Sequence, residues 1–157
     1  MKDITKLLIS VVISLSAGFI GSIFTNPNIE TWYATIKKPS IAPPDWVFAP
    51  VWTILFLLMG IAAYLVWRQG WSNPQVRTAV VIFLIHLIVN ILWSAVFFGL
   101  RAPMAAFFVI IALWLLILVI IILFANITVT AGILLIPYLL WVSFASVLNF
   151  MLWRLNI

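Results

Sequence analysis

Long apolar runs dominate the sequence, and short polar breaks separate them. Five runs each reach the roughly 20 residues that a helix needs to cross the hydrocarbon core of a bilayer. They predict transmembrane helices at about residues 4–24, 47–67, 78–98, 103–125 and 131–153. A membrane β-barrel would need alternating polar and apolar residues, and these runs are continuous. The pattern predicts an all-α integral membrane protein, a five-transmembrane-helix bundle in a single domain over residues 1–157.

The first break is much longer than the others, because it covers residues 25–46. The other breaks are short enough to make consecutive helices antiparallel neighbours. This long loop contains the four prolines Pro27, Pro39, Pro43 and Pro44, and also the neighbouring aromatic residues Trp32 and Tyr33. Rigid prolines and aromatic anchors favour an ordered loop over a disordered connector, and long loops in compact bundles are usually functional. We expect this loop to close over a ligand site.

The composition excludes several classes of protein. Hydrophobic residues make up 67% of the chain and charged residues 7%, against about 45–50% and 25% in ordinary soluble domains. A soluble enzyme and a nucleic-acid-binding domain are therefore excluded. The net charge of +5 comes from basic residues that occur singly or in pairs, which suits anchoring at the membrane edge. They divide equally between the two sides of the predicted bundle, so the positive-inside rule does not select an orientation.

Ionisable and metal-binding side chains, which membrane transporters and enzymes need, are scarce in this sequence. The chain has 3 acidic residues, and none lies inside a predicted span, which disfavours proton-coupled transport and hydrolysis. It has no cysteine and one histidine, His86, so no metal site is predicted. A lone histidine is more often a pocket or packing residue than a haem ligand.

Small residues recur along one face of the first helix. They are Ser10, Ser14, Gly18 and Ser22, each four positions after the last. Small side chains at this spacing let helices approach closely, either inside the bundle or between two copies. We expect a homodimer formed through small-residue and apolar helix faces. In the fifth helix, Pro137 should cause a kink.

Four tryptophans lie too deep in their spans to mark the membrane interface. They are Trp52, Trp93, Trp114 and Trp141. His86, Asn90 and Trp93 share one face of the third helix, and Trp141 and Ala145 share one face of the fifth. Their depths place most of these residues in the half of the membrane that carries the long loop, here called the loop side. Two interpretations stay open: a ligand cavity capped by the loop, or an aromatic core with polar bonds between helices.

Short motifs spread over nearly the whole chain match one family. They are Trp32-Tyr33, Lys38-Pro39, the stretch from Pro43-Pro44-Asp45-Trp46 to Pro50-Val51-Trp52-Thr53, Asn90-Ile91-Leu92-Trp93-Ser94, and the stretch from Pro137-Tyr138 through Trp141 to Ala145. With them the chain resembles the translocator protein family, also called tryptophan-rich sensory proteins (TspO/MBR). The resemblance implies five transmembrane helices, often dimeric, with the first loop folded over a pocket.

The resemblance also implies ligands. The family binds porphyrins such as protoporphyrin IX, and drugs of the benzodiazepine and isoquinoline carboxamide types; porphyrin is a ligand here, not a resident cofactor. Bacterial members are associated with light-dependent porphyrin breakdown and with stress or tetrapyrrole regulation, and we expect a bacterial cell-membrane protein. Animal members bind cholesterol, but Phe150 replaces the tyrosine of the C-terminal cholesterol pattern. Since such patterns are weak to begin with, cholesterol binding is not predicted.

The predicted ligand site joins the deep residues to the positions that match the family pocket. It comprises Tyr33, Pro43, Trp52, Phe56, His86, Asn90, Trp93, Trp141, Ala145 and Leu148. Trp141 is the candidate catalytic residue, because an indole beside an illuminated porphyrin is readily oxidised. We expect a tetrapyrrole-binding sensor or scavenger that promotes photo-oxidative porphyrin degradation. A passive transporter of porphyrin or lipid, and a regulatory membrane protein without chemistry, are the alternatives.

Overall fold

The computed structural model describes residues 2–157, and helices account for most of them. The α-helices are α1 (Asp3–Asn28), α2 (Phe48–Trp67), α3 (Pro74–Ser94), α4 (Pro103–Ile127), α5 (Val129–Leu134) and α6 (Ile136–Leu155). Wider π-helical turns extend α1 over Ile29–Tyr33 and α3 over Ala95–Gly99, and a 3₁₀ turn at Asp45–Val47 leads into α2.

Five helical segments are long and apolar enough to cross a membrane, with α5 and α6 together forming the fifth. This confirms the predicted all-α, five-helix membrane architecture. The outer surface suits lipid, since large apolar side chains such as Phe19 (70% exposed), Ile88 (65%) and Phe108 (63%) point away from the bundle. In water such a surface would aggregate, whereas in a bilayer it meets acyl chains.

The helices pack as a closed ring in the order α1, α2, α5 with α6, α4 and α3, and α3 returns to α1. Apolar side chains with almost no exposed surface fill its interior, among them Met59, Val66, Ala79, Leu113, Phe124 and Val142. In this ring the loop-side ends of α1, α2 and α3 surround a cavity.

The first helix is longer than expected. It was predicted to end near residue 24, but α1 and its π turn continue to Tyr33. Thr25, Asn28 and Thr31 donate side-chain hydrogen bonds to carbonyls four residues earlier, within the helix. Such bonds keep polar residues compatible with a membrane helix, and Pro27 is tolerated there. The irregular part of the long loop is therefore residues 36–44, hereafter the connector, and Trp32 and Tyr33 are helical.

The expected kink at Pro137 takes the form of a break in the fifth span. Helix α5 ends at Leu134, and α6 begins at Ile136 with Pro137 in its first turn. In that turn the missing N–H of proline removes no helical hydrogen bond. The chain therefore changes direction at Leu135 without leaving a broken bond in the middle of a helix.

The small-residue face of α1 is used inside the bundle. Ser10, Ser14, Ala17 and Gly21 are buried. A β-carbon built at Gly60 of α2 would lie 2.7 Å from the Cα of Val11, which shows how closely α1 and α2 approach. Of the two roles open to this face, packing within the chain is the one observed.

Candidate ligand-binding site

A cavity of about 380 Å³ lies between α1, α2 and α3 on the loop side. Its α1 wall is made mostly of small or polar residues, namely Gly18, Gly21, Ser22, Thr25 and Asn26. Its opposite wall is aromatic, with Phe48, Trp52, Phe56, Trp93 and Phe98. The volume lies within the range of about 300–1,000 Å³ typical of small-molecule sites, and an apolar lining with few polar groups is equally typical.

Four rings at or beside the aromatic wall form a run in which each ring is inclined by 27–32° to the next. The rings of Phe56 and Trp52 have centroids 5.7 Å apart at 30°. The rings of Trp52 and Trp93 follow at 6.5 Å and 32°, and those of Trp93 and Phe97 at 5.3 Å and 27°. Offset arrangements at these distances are favourable between aromatic groups. Three of these rings, Phe56, Trp52 and Trp93, line the cavity and give it a continuous aromatic wall.

Glycines on α1 determine how closely this helix approaches the facing residues of the cavity. A β-carbon at Gly18 would lie 2.6 Å from Cδ2 of Phe56, and one at Gly21 would lie 3.3 Å from Oγ of Ser94. Larger residues at these positions would push α1 away or turn the facing side chains. The glycines therefore let α1 lie directly against the base of the aromatic wall.

A second cavity of about 30 Å³ lies behind the same aromatic wall. Trp141, Ala145, Leu148 and Asn149 of α6 line it, and five residues line both cavities: Tyr33, Phe48, Trp52, Trp93 and Phe98. Among residues 2–157, the Tyr33 hydroxyl and the Trp141 indole N–H are buried side-chain groups without a hydrogen-bond partner. Buried polar atoms usually have partners, so these two are available to a ligand.

A family model described as the TspO/MBR family matches residues 10–154. The chain belongs to the TspO/MBR family. The Tryptophan-rich protein TspO of Chlorobaculum tepidum is 46% identical over 99% of this chain and 98% of its own length. The protein of the same name from Archaeoglobus fulgidus is 42% identical over 98% and 99%. The Translocator protein of Ovis aries is 31% identical over 88% and 83%.

Family membership and the five spans identify a multi-pass membrane protein with a sensor or binding role. The similarity to the bacterial TspO relative supports a bacterial origin.

The predicted site residues of this TspO/MBR protein fall into three groups. Tyr33, Trp52, Phe56, Asn90 and Trp93 line the larger cavity. Trp141, Ala145 and Leu148 line the smaller one. Pro43 and His86 line neither cavity: Pro43 is a half-buried residue of the connector, and His86 is buried among α3 and α6 side chains.

Sequence reasoning missed most of the α1 wall of the cavity. Ser22, Thr25 and Asn26 line it, but Ser22 was assigned to helix packing and the other two to the long loop. Asp45 also lines the larger cavity, and its place within the Pro-Pro-Asp-Trp motif was the one available signal. Trp114 donates to Oγ of Ser143 at 2.8 Å and lines neither cavity, so it serves packing between α4 and α6.

Hydrogen bonds between its backbone and the C-terminal end of the chain hold the connector in place. The Lys37 N–H donates to Oδ1 of Asn156, and Nδ2 of Asn156 donates to the Lys37 carbonyl, both at 2.9 Å. Lys38 places its ammonium 4.6 Å from the centroid of the Tyr33 ring, a favourable cation–π distance. Through these contacts the connector lies beside the aromatic residues that the two cavities share.

Three polar side chains at the centre of the bundle bond to one another. Nε2 of His86 lies 3.0 Å from the Tyr138 hydroxyl, and Nδ2 of Asn90 donates to that hydroxyl at 2.8 Å. Nδ1 of His86 lies 2.8 Å from the Phe83 carbonyl. Asn90 also lines the larger cavity, so this group links the cavity wall to the interior between α3 and α6.

Proposed function

We propose that the larger cavity binds a tetrapyrrole such as protoporphyrin IX. In this proposal the protein is a membrane sensor or scavenger that promotes photo-oxidative breakdown of the tetrapyrrole. The observation that carries the proposal is the run of neighbouring Phe56, Trp52 and Trp93 rings, inclined by 30° and 32°, opposite the small residues of α1. A porphyrin is flat and largely apolar, so it gains most from a broad aromatic surface with a narrow gap in front of it.

Charges at the loop side favour one orientation of such a ligand. Porphyrin carboxylates are attracted by Lys37 and Lys38 of the connector and repelled by Asp45 at the cavity wall. We therefore place the carboxylates toward the connector and the ring against Trp52 and Trp93. Tyr33, whose hydroxyl has no partner, lies where it can donate a hydrogen bond to the ligand.

Two indoles are candidates for the oxidised partner of an illuminated porphyrin. Trp52 lines both cavities, whereas Trp141 lines only the smaller one. A ligand confined to the larger cavity therefore meets Trp52 directly. It reaches Trp141 when the shared side chains Phe48 and Trp52 move aside. We propose that either indole can be oxidised by the illuminated porphyrin and that Trp52 is the one in direct contact with it.

Titration and illumination test this proposal. Purified protein in lipid nanodiscs is titrated with protoporphyrin IX in the dark, and the loss of porphyrin absorbance is then followed in light. Trp52→Phe and Trp141→Phe keep an aromatic ring, so each should bind but degrade porphyrin more slowly at matched occupancy. Trp114→Phe is the matched control and should behave like the parent. Absence of saturable binding, or equal degradation in all four proteins, would refute the proposal.

Benzodiazepine-type and isoquinoline carboxamide ligands are proposed to occupy the same cavity. They are aromatic and mostly apolar, as its lining requires. Each should displace bound protoporphyrin IX competitively. Simultaneous binding without mutual effect would place them elsewhere.

Passive movement of porphyrin or lipid is a second candidate, favoured by one observation. Phe19 and Thr53 line the larger cavity while being exposed on the outer surface of the bundle. The cavity therefore opens between α1 and α2 toward the acyl chains, a route for an apolar ligand. Porphyrin flux into protein-containing liposomes in the dark, compared with empty liposomes, measures this activity, and equal fluxes would exclude it.

A further inference from the structure

The hydrogen-bonded group of Tyr138, His86 and Asn90 has a defined arrangement of protons. A carbonyl oxygen only accepts hydrogen bonds, so Nδ1 of His86 carries the hydrogen that it donates to Phe83. In the neutral imidazole Nε2 is then an acceptor, and the Tyr138 hydroxyl donates to it. The amide of Asn90 donates to the same phenol oxygen. Both ring nitrogens of His86, the Tyr138 hydroxyl and the amide nitrogen of Asn90 all have partners in this one arrangement.

The surroundings of His86 keep its imidazole uncharged. His86 and Tyr138 are each 1% exposed. Among residues 2–157, no carboxylate lies within ion-pair distance of His86, so none balances an imidazolium. A buried unpaired charge is costly. The resting state is thus a phenol hydrogen-bonded to a free base.

Tyr138 is also in contact with the aromatic wall of the cavity. Its ring centroid lies 6.2 Å from that of Trp52, edge to face. Electrons pass readily between aromatic rings in contact. Tyr138 therefore touches the indole that faces the proposed ligand on one side and a proton acceptor on the other.

We propose that Tyr138 and His86 form a proton-coupled redox pair that reduces the oxidised indole of Trp52. In the step, the Trp52 radical cation takes one electron from Tyr138. The phenol O–H bond breaks, and its proton forms an N–H bond with Nε2 of His86. The products are neutral Trp52, a neutral tyrosyl radical and an imidazolium. The positive charge moves from indole to imidazole, so the interior gains no additional charge.

The oxidant of Trp52 is the photo-excited tetrapyrrole, which takes up one electron. In this respect the inference rests on the proposed function. Its chemistry, however, belongs to residues of the bundle and can be tested without any tetrapyrrole.

Tyr33 provides an internal contrast. It also lines the larger cavity, but its buried hydroxyl has no hydrogen-bond partner. Oxidising a phenol without moving its proton would leave a charged radical in an apolar site, which is costly. Of the two buried tyrosines, Tyr138 is the one that is hydrogen-bonded to a base.

A flash experiment on ligand-free protein tests the pair. An ultraviolet laser pulse photoionises indoles in nanodisc-embedded protein, and transient absorption follows the indole and tyrosyl radicals separately. In the parent, part of the indole radical should decay into tyrosyl radical, severalfold more slowly in D₂O than in H₂O. Tyr138→Phe should abolish this tyrosyl signal, and Trp52→Phe should reduce it. Tyr64→Phe, on α2 and outside both cavities, is the control and should leave it unchanged.

His86→Gln separates proton acceptance from a structural bond. A glutamine carbonyl accepts the phenol hydrogen bond but is far too weak a base to keep the proton. The tyrosyl yield should fall severalfold, while the thermal midpoint confirms that the variant folds. An unchanged yield in Tyr138→Phe or in His86→Gln, or the absence of a solvent isotope effect in the parent, would overturn the proposal. A protein that passes this test but fails to bind protoporphyrin IX would refute the proposed function alone.

Discussion

Gly60→Ala should destabilise the bundle without altering the ligand site. The new β-carbon would lie 2.7 Å from Cα of Val11 and 3.1 Å from the Ser10 carbonyl oxygen. Carbon atoms pack best at about 3.5–4.0 Å, so α1 must move by about 1 Å. Both neighbours are backbone atoms, which cannot rotate away. Overpacking of this kind costs about 1–3 kcal/mol, against a gain of about 1 kcal/mol from replacing glycine in a helix.

The net loss is therefore up to about 2 kcal/mol, and we expect the upper part of this range because the two backbone neighbours cannot rotate away. A change of 1 kcal/mol shifts Tm by about 2–4 °C in proteins of this size, so the apparent Tm should fall by several degrees. Tryptophan fluorescence during a fixed-rate thermal ramp in nanodiscs measures it.

Gly18→Ala is the matched comparison in the same helix pair. Its β-carbon would meet the ring of Phe56 at 2.6 Å, and this ring borders the larger cavity and can turn into it. We expect a smaller change in Tm but weaker binding of protoporphyrin IX. A lower Tm for Gly18→Ala than for Gly60→Ala, or unchanged stability of Gly60→Ala, would refute this reasoning.

Three further outcomes are expected. Ligand should slow protease cleavage of the connector at residues 36–44 if the connector closes the site, and equal cleavage with and without ligand would count against that role. Asn156→Ala removes both hydrogen bonds to Lys37, so cleavage of the connector should become faster, while Thr130→Ala, at the other end of the bundle, should not change it. Because Ser10 and Ser14 of the α1 stripe are buried within the chain, we expect a dimer to use other apolar helix faces; native mass spectrometry in several lipids should show two chains, and a monomer in all of them would exclude a stable dimer.

The sequence is most informative about the spans, because a membrane imposes long apolar runs on any helix that crosses it. It is less informative at the end of α1. There Thr25, Asn28 and Thr31 look like loop residues until their hydrogen bonds to earlier carbonyls are known. Proline and polar residues suggested a loop, and local side-chain bonding allowed a helix instead.

The residues of the candidate site were likewise only partly predictable from the sequence. Trp52, Trp93 and Asn90 were recognisable because their depth is anomalous for tryptophan and asparagine. Ser22 was not, since a small residue on a helix serves close packing and cavity walls equally well. The bond between His86 and Tyr138 joins residues 52 positions apart, and it depends on how α3 and α6 are rotated and aligned, which no local pattern specifies.

The pairing of Lys37 with Asn156 spans 119 positions of the sequence. A ribosome synthesises Lys37 early and Asn156 only after all five spans have been made, and domains form in that order. Until the last helix is inserted, the connector has no partner for its backbone, and the smaller cavity lacks its α6 wall. The fastening of the connector beside the ligand site is thus completed last during biogenesis, and a nascent chain with four inserted helices should release a tetrapyrrole faster than the full chain.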